Sequence, residues 1–143
     1  MQIRVKKLPN FGELPLPKHQ TNGSCGIDLY AAIQDSIVLR PMESALLPTG
    51  LAFELPLGNE AQIRPRSSLS KKSILIYFGT CDEDYRGEYF VALQNLSKTD
   101  FKIERGDRLA QMVIAQYAHI ELEEVAELRA TSRGDKGFGS TGR

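Results

Sequence analysis

The sequence predicts an all-β chain, a jelly-roll or β-barrel fold with one short helix. Three observations predict it. Gln2-Ile-Arg-Val-Lys6 and Asp100-Phe-Lys-Ile-Glu104 alternate polar and apolar residues with period two, as strands with one buried face do. Between them, short β-rich apolar runs follow one another, punctuated by Pro, Gly, Asn and Asp. No heptad pattern or internal repeat competes with this reading. Many short strands at regular spacing indicate a sandwich or barrel, and a jelly roll is the specific expectation.

Taken in order, residues 2–6 open the chain as a strand. Pro9, Pro15 and Pro17 make the next stretch an extended surface arm. Residues 24–31, Ser-Cys-Gly-Ile-Asp-Leu-Tyr-Ala, form an apolar strand interrupted by Asp28. Residues 37–39 and 51–53 are short strands. Residues 67–72 are expected to be the short helix, with Ser67 as its N-cap. Strands follow at 74–78, 89–93, 100–104 and 109–117, and residues 79–88 form a corner between two of them. Residues 121–128 fit a short helix or an edge strand equally. The last eleven residues, Arg133-Gly-Asp-Lys-Gly-Phe-Gly-Ser-Thr-Gly-Arg143, have no apolar periodicity. They cannot bury a face of their own and are expected to order only over a ligand. The division is therefore a β domain over residues 1–132 and a Gly-rich lid over residues 133–143.

Composition narrows the function. The 143 residues suit one domain with its own core. Eighteen Lys and Arg balance eighteen Asp and Glu, which argues against a broad nucleic-acid surface but leaves room for a local anion site. The tail has that local bias: Arg129, Arg133, Lys136 and Arg143 face only Asp135. No apolar run approaches the ~18–20 residues of a membrane span, and the N-terminus lacks a signal-peptide core. Two cysteines, Cys25 and Cys81, without C-x-x-C spacing indicate neither a disulfide scaffold nor a zinc site. An intracellular, soluble protein with no nucleic-acid or membrane partner is expected.

Five segments carry groups capable of chemistry. Asp28 inside a strand requires a cation, either a metal or an internal salt bridge. Arg64-Pro-Arg-Ser-Ser-Leu-Ser70 places an arginine and two hydroxyls at a helix start, where phosphate binds readily; a plain helix cap reads the same way. Gly79-Thr-Cys-Asp-Glu-Asp-Tyr-Arg-Gly-Glu88 packs four carboxylates, a phenol and an arginine into residues 82–88, more than a turn requires. A carboxylate fixed there can act as a general base toward water. Arg105-Gly-Asp-Arg-Leu-Ala-Gln111 leads from a turn into a strand, where Gln111 needs a partner, in a site or simply on a neighbouring strand. The tail offers glycines for close backbone approach to phosphate, Ser140 and Thr141 as donors, Arg133 as an anion grip and Phe138 as a stacking face. A Gly-rich tail without function has a similar composition.

Together and in this order, the segments resemble the five motifs of the homotrimeric dUTPase family, over residues 22 to 143. The combination of P-R-S-S-L, D-E-D-Y-R-G-E, R-G-D-R-L-A-Q and R-G-D-K-G-F-G-S-T-G is specific where each alone is weak. The resemblance implies a trimer with three sites, each drawing residues from all three chains. It implies hydrolysis of dUTP to dUMP and pyrophosphate, which keeps uracil out of DNA and supplies dUMP for thymidylate synthesis. Asp82 would activate the attacking water. Tyr85 would pack on the deoxyribose and exclude a 2′-hydroxyl. Arg66, Ser67, Ser68 and Gln111 would hold phosphates. Arg133, Gly139, Ser140 and Thr141 would close on the terminal phosphate, and Phe138 would stack on uracil. Asp28 would stand near Mg2+ through water, the ion being held mainly by phosphate oxygens.

The segment between Arg66 and Asp82 departs from the family. It is implied to be the hairpin that reads uracil, contributing Tyr77, Thr80 and Cys81 to the substrate site. Here it is about one residue shorter than common versions, with Tyr77 near a position where some members have Asn. Cys25 and Cys81 replace residues that are usually Ala or aliphatic, so thiol alkylation is expected to lower activity. Two alternatives carry different chemistry: a dCTP deaminase of the same superfamily, possibly bifunctional, and a non-catalytic nucleotide-binding regulator. The first needs a glutamate acid/base at the base ring, and none is clearly placed. The second has no need of Asp82.

Overall fold

A computed structural model describes residues 1–135. Along the chain run β1 (Arg4–Lys7), β2 (Ile27–Tyr30), β3 (Ile37–Leu39), β4 (Ser44–Pro48), β5 (Leu51–Glu54), β6 (Asn59–Arg64), α1 (Ser67–Ser70), β7 (Ile74–Ile76), β8 (Gly79–Cys81), β9 (Phe90–Asn95), β10 (Phe101–Ile103) and β11 (Arg108–Gln116). The fold is the expected one: its regular elements are strands, apart from one short helix and a 3-10 turn. Every pairing is antiparallel. The largest sheet has the order β2-β11-β6-β8, a second has β4-β9-β7, and β1-β5 and β3-β10 form two-stranded ladders. Strand alternation explains the core: β6 buries every second residue, and β9 does the same from Val91 onward. Ile63, Ile74, Ile76, Leu93 and Leu109 are each at most 2% exposed and belong to one apolar cluster.

Four expectations need correction. The proline-rich arm is not simply extended on the surface. Pro9–Phe11 form a 3-10 turn, and Phe11 is fully buried. Arg105 holds that turn by donating from Nη2 to the carbonyls of Asn10 (3.0 Å) and Phe11 (2.7 Å). The short helix is capped by Arg66, whose backbone is extended, and not by Ser67. With four residues it has little macrodipole, so its value to an anion lies in its side chains. Residues 79–81 are a strand, so the corner begins only at Asp82. Finally, β7 and β8 do not form a hairpin ladder with each other. β7 pairs with β9 and β8 with β6, so the chain changes sheet at Tyr77 and Phe78. Gly79 permits the change, because a Cβ there would already lie 3.3 Å from Ile63. Residues 121–128 are neither helix nor strand.

Candidate active site

Asp82 follows directly from β8, which is held in register on β6 through Ala61↔Cys81 and Gln62↔Thr80. The next residues turn tightly: the Tyr85 N–H donates to the Asp82 carbonyl at 3.2 Å. Arg86 Nη1 donates to the carbonyls of Glu83 (2.6 Å) and Tyr85 (3.2 Å), closing the turn on itself. The Glu83 carboxylate accepts from the Gly58 N–H, and its hydrogen bond with Tyr117 raises the phenol's pKa. Glu88 Oε1 accepts from the Gly50 N–H (2.7 Å) and Asn10 Nδ2 (2.8 Å), tying the far end of the turn to the β4–β5 corner and the N-terminal arm. Asp82 therefore stands on a loop fixed at several points.

Tyr85 is held just as firmly. Its hydroxyl donates to the Glu88 carbonyl at 3.0 Å. Its ring covers Gly87 so closely that a Cβ there would lie 2.8 Å from Cε2. The ring remains 44% exposed, which leaves it a surface for a ligand. Cys81, before Asp82, is half-buried; burial, with the Asp82 charge adding to it, pushes its thiol up to about 11. Tyr77 donates through its hydroxyl to Gln94 Oε1 at 2.8 Å, and Phe78 beside it is 58% exposed.

A second group surrounds a cavity of about 460 Å³ whose wall includes Cys25, Asp28, Arg66, Ser67, Ser68 and Gln111. The pairing of β2 with β11 puts Asp28 opposite Gln111. Asp28 is buried, and its partner is an internal pair of cations. Arg66 Nε lies 2.8 Å from Oδ1 and Arg108 Nη1 lies 3.3 Å from Oδ2. Arg66 Nη1 also donates to the Arg108 carbonyl at 3.1 Å, which fixes the guanidinium plane. Gln111 Nε2 donates to the Pro65 carbonyl at 2.9 Å, anchoring the loop that presents Arg66. Ser67 and Ser68 are exposed at the cavity.

The structure thus brings Asp28, Arg66, Ser67, Ser68 and Gln111 together. Asp82, Tyr85, Tyr77, Thr80 and Cys81 are not among the residues lining that cavity. Phe138, Gly139, Ser140 and Thr141 lie outside the described residues; of the expected lid only 133–135 are described, with Arg133 exposed. Arg108, Gly87 and Glu88 escaped the sequence reading as site residues, although R-G-D-R and Y-R-G-E contain them. No group of three or more His, Cys, Asp or Glu among the described residues is arranged to hold a metal ion. No helix among them is long and apolar enough to cross a membrane.

A family model described as dUTPase matches residues 12–142. The deoxyuridine 5'-triphosphate nucleotidohydrolase of Orientia tsutsugamushi strain Ikeda is 48% identical over 146 residues, spanning 99% of each chain. That of Neorickettsia sennetsu is 50% identical over 142 residues, covering 97% of this chain and 95% of the relative. Among solved structures, the dUTPase of Staphylococcus bacteriophage 80alpha with dUPNHPP aligns at a TM-score of 0.89 and 27% identity over 99% of both chains. A mutant dUTPase from phage phi11 of S. aureus, described with a structural Mg(II) ion, shares the fold at a TM-score of 0.81 and 24% identity, over 91% of this chain and 100% of that one.

Proposed function

This chain belongs to the dUTPase family, and from that membership we propose how its own residues divide the hydrolysis of dUTP to dUMP and pyrophosphate. The reaction itself follows from the family match and the nucleotidohydrolase relatives. The observation that carries the division of labour is the pairing of a carboxylate on a braced turn with a cationic, hydroxyl-rich cavity presented by the same sheet. Asp82 is the general base. It accepts a proton from a water whose oxygen bonds to the α-phosphorus, while the opposite phosphorus–oxygen bond breaks and pyrophosphate leaves. A base acts best when its position is fixed before substrate arrives, and the Arg86, Glu83 and Glu88 contacts do this for the Asp82 turn.

Arg66, Ser67 and Ser68 hold phosphate oxygens. Arg66 uses Nε and Nη1 within the protein, so its Nη2 remains for substrate. Gln111 positions the loop carrying Arg66, and so acts through Arg66 as well as on the cavity wall. Tyr85 packs against the deoxyribose. Tyr77, Thr80 and Cys81 border the base, and the sheet change at Tyr77 and Phe78 takes the place of the expected hairpin. Arg133, Phe138, Gly139, Ser140 and Thr141 close over phosphates and base. Such closure needs many contacts at once: fixing each residue costs about 1–2 kcal/mol, and one stacked base returns only about 1–3 kcal/mol.

The donor set fits Mg2+ brought in on the triphosphate and not caged by protein. Asp28 is shared by two arginines, and hard, hydrated Mg2+ uses few protein carboxylates. Asp28 would meet the ion through water, and the ion would offset the triphosphate's charge. Family membership implies a homotrimer. The absence of Asp82 and Tyr85 from the cavity wall of one protomer fits a site completed by neighbouring subunits.

The test is Asp82→Asn. It is expected to lower turnover by several orders of magnitude while dUPNHPP binding persists; near-normal turnover would overturn the assignment. Pyrophosphate release from dUTP, dTTP, dCTP and UTP, measured in parallel, shows how strictly the Tyr77–Phe78 segment reads the base.

A further inference from the structure

Tyr89 takes no part in the roles above, yet it lies directly behind Tyr85. It is 1% exposed. Its ring stacks on that of Tyr85 with centroids 5.9 Å apart and 28° between planes, and meets Phe53 at 4.8 Å. Its backbone is pinned as well. Its N–H donates to the Leu51 carbonyl (2.8 Å), and its carbonyl accepts from the Thr49 N–H (3.1 Å) and Thr49 Oγ1 (2.7 Å). The Tyr85 ring is thus confined by Tyr89, by the hydrogen bond to Glu88 and by the close approach of Gly87, while part of it stays open to solvent.

Resting on the reading of Tyr85 as the sugar wall, we propose that Tyr89 is the positioning residue that makes Tyr85 discriminate deoxyribose from ribose. A wall rejects an extra hydroxyl only if it cannot yield. An apolar wall gives roughly 10²-fold rejection at best, and a half-exposed ring able to swing on its own side-chain bonds would give less. The aromatic plane of Tyr89, held by the Phe53 contact and two backbone anchors, removes that freedom. The ring, and not the hydroxyl, does this.

The experiment compares kcat/KM for dUTP and for UTP in the full-length enzyme and in Tyr89→Leu, Tyr89→Phe and Tyr85→Ala. Leucine fills much of the volume without a flat face, and Tyr89→Met takes its place should Tyr89→Leu not fold. The expected result is a roughly tenfold or greater fall in the dUTP/UTP ratio for the aliphatic variant, with the ratio kept in Tyr89→Phe. Equal losses on both substrates with the ratio unchanged would mean Tyr89 only supports the fold, and would overturn the inference if Tyr85→Ala collapses the ratio. An unchanged ratio in Tyr85→Ala would overturn the reading of Tyr85 itself, and the role of Tyr89 with it.

Discussion

The two thiols differ in a way that decides how this enzyme meets electrophiles. Cys25 is exposed on the wall of the cationic cavity. Cys81 is half-buried, and its thiol is raised to about 11, so at pH 8 only roughly one molecule in a thousand carries the reactive thiolate there. Iodoacetamide at pH 8 is therefore expected to label Cys25 first and to lower activity, while Cys25→Ser stays active under the same treatment. Raising the pH toward 11 should open Cys81 to the reagent. Peptide mass spectrometry alongside activity reads this directly, and modification of Cys81 ahead of Cys25 would contradict it. Tyr89 offers a second check at this scale. Its hydroxyl is buried beside the Cys81 thiol, a weak hydrogen-bond partner, and burial, with that thiol adding to it, raises its pKa. A thiol only weakly offsets the desolvation of a buried hydroxyl, so Tyr89→Phe should raise stability by up to about 1 kcal/mol, seen as a higher melting temperature. Much at this scale was legible in the sequence. Asp28 in a strand demanded a cation, and its partners Arg66 and Arg108 come from the two arginine motifs. Glu88 and Gly87 were not legible, because their worth lies in touching Gly50, Asn10 and the Tyr85 ring, contacts made only by the folded chain.

Among the elements, the β4–β5 corner links the core to the turn proposed to carry the base, Asp82. Gly50 has φ +70°, and a Cβ there would meet Phe11 Cα at 2.7 Å. Its N–H is held by Glu88. Gly50→Ala should therefore cost more than the ~1–3 kcal/mol of a strained backbone alone, because the buried Phe11 turn must also move. Glu88→Ala should cost about 1–3 kcal/mol by leaving the Gly50 N–H without its acceptor, and should lower kcat by freeing one end of the Asp82 turn. Thermal melts and steady-state rates separate the two effects; a Glu88→Ala enzyme with wild-type kcat would show that the turn is braced from its other contacts. β10, whose Phe101-Lys-Ile103 alternates, and β3, a short apolar run, could be read directly; β1 is a strand as expected, but Arg4–Lys7 are all exposed, so it lacks the buried face its alternation predicts. β6, Asn-Glu-Ala-Gln-Ile-Arg, could not, since its buried positions include Asn59 and the small Ala61, which carry little apolar signal. β4 ends in Pro48 and alternates weakly, so it was missed. Phe11 was hidden among prolines, and its burial depends on an arginine almost a hundred residues away.

At the scale of the whole molecule, the described residues of the proposed site are not all gathered into one cavity: Asp82 and Tyr85 stand apart from the cavity lined by Asp28, Arg66 and Gln111. The end of the chain bears on how they are gathered. After β11, residues 117–128 carry Tyr117, Ile120, Leu122, Val125 and Leu128, which are 41–92% exposed and form no strand or helix. A chain seldom leaves so many apolar side chains in water without a partner surface, and family membership supplies one in the neighbouring subunits. The tail beyond this segment has the opposite character, with glycines, hydroxyls and cations suited to phosphate. Two truncations separate these roles. Removing residues 133–143 should leave the oligomer and the melting temperature nearly unchanged while kcat for dUTP falls by at least about 10²-fold, the scale expected when groups positioning the reacting phosphates are lost. Removing residues 117–143 should instead weaken the oligomer, because it takes away the apolar segment itself. Light scattering coupled to size exclusion reads the first property and pyrophosphate release reads the second. A short truncation that kept full kcat would remove the lid from the mechanism, and a long truncation that stayed trimeric would place the subunit contacts entirely on the strands.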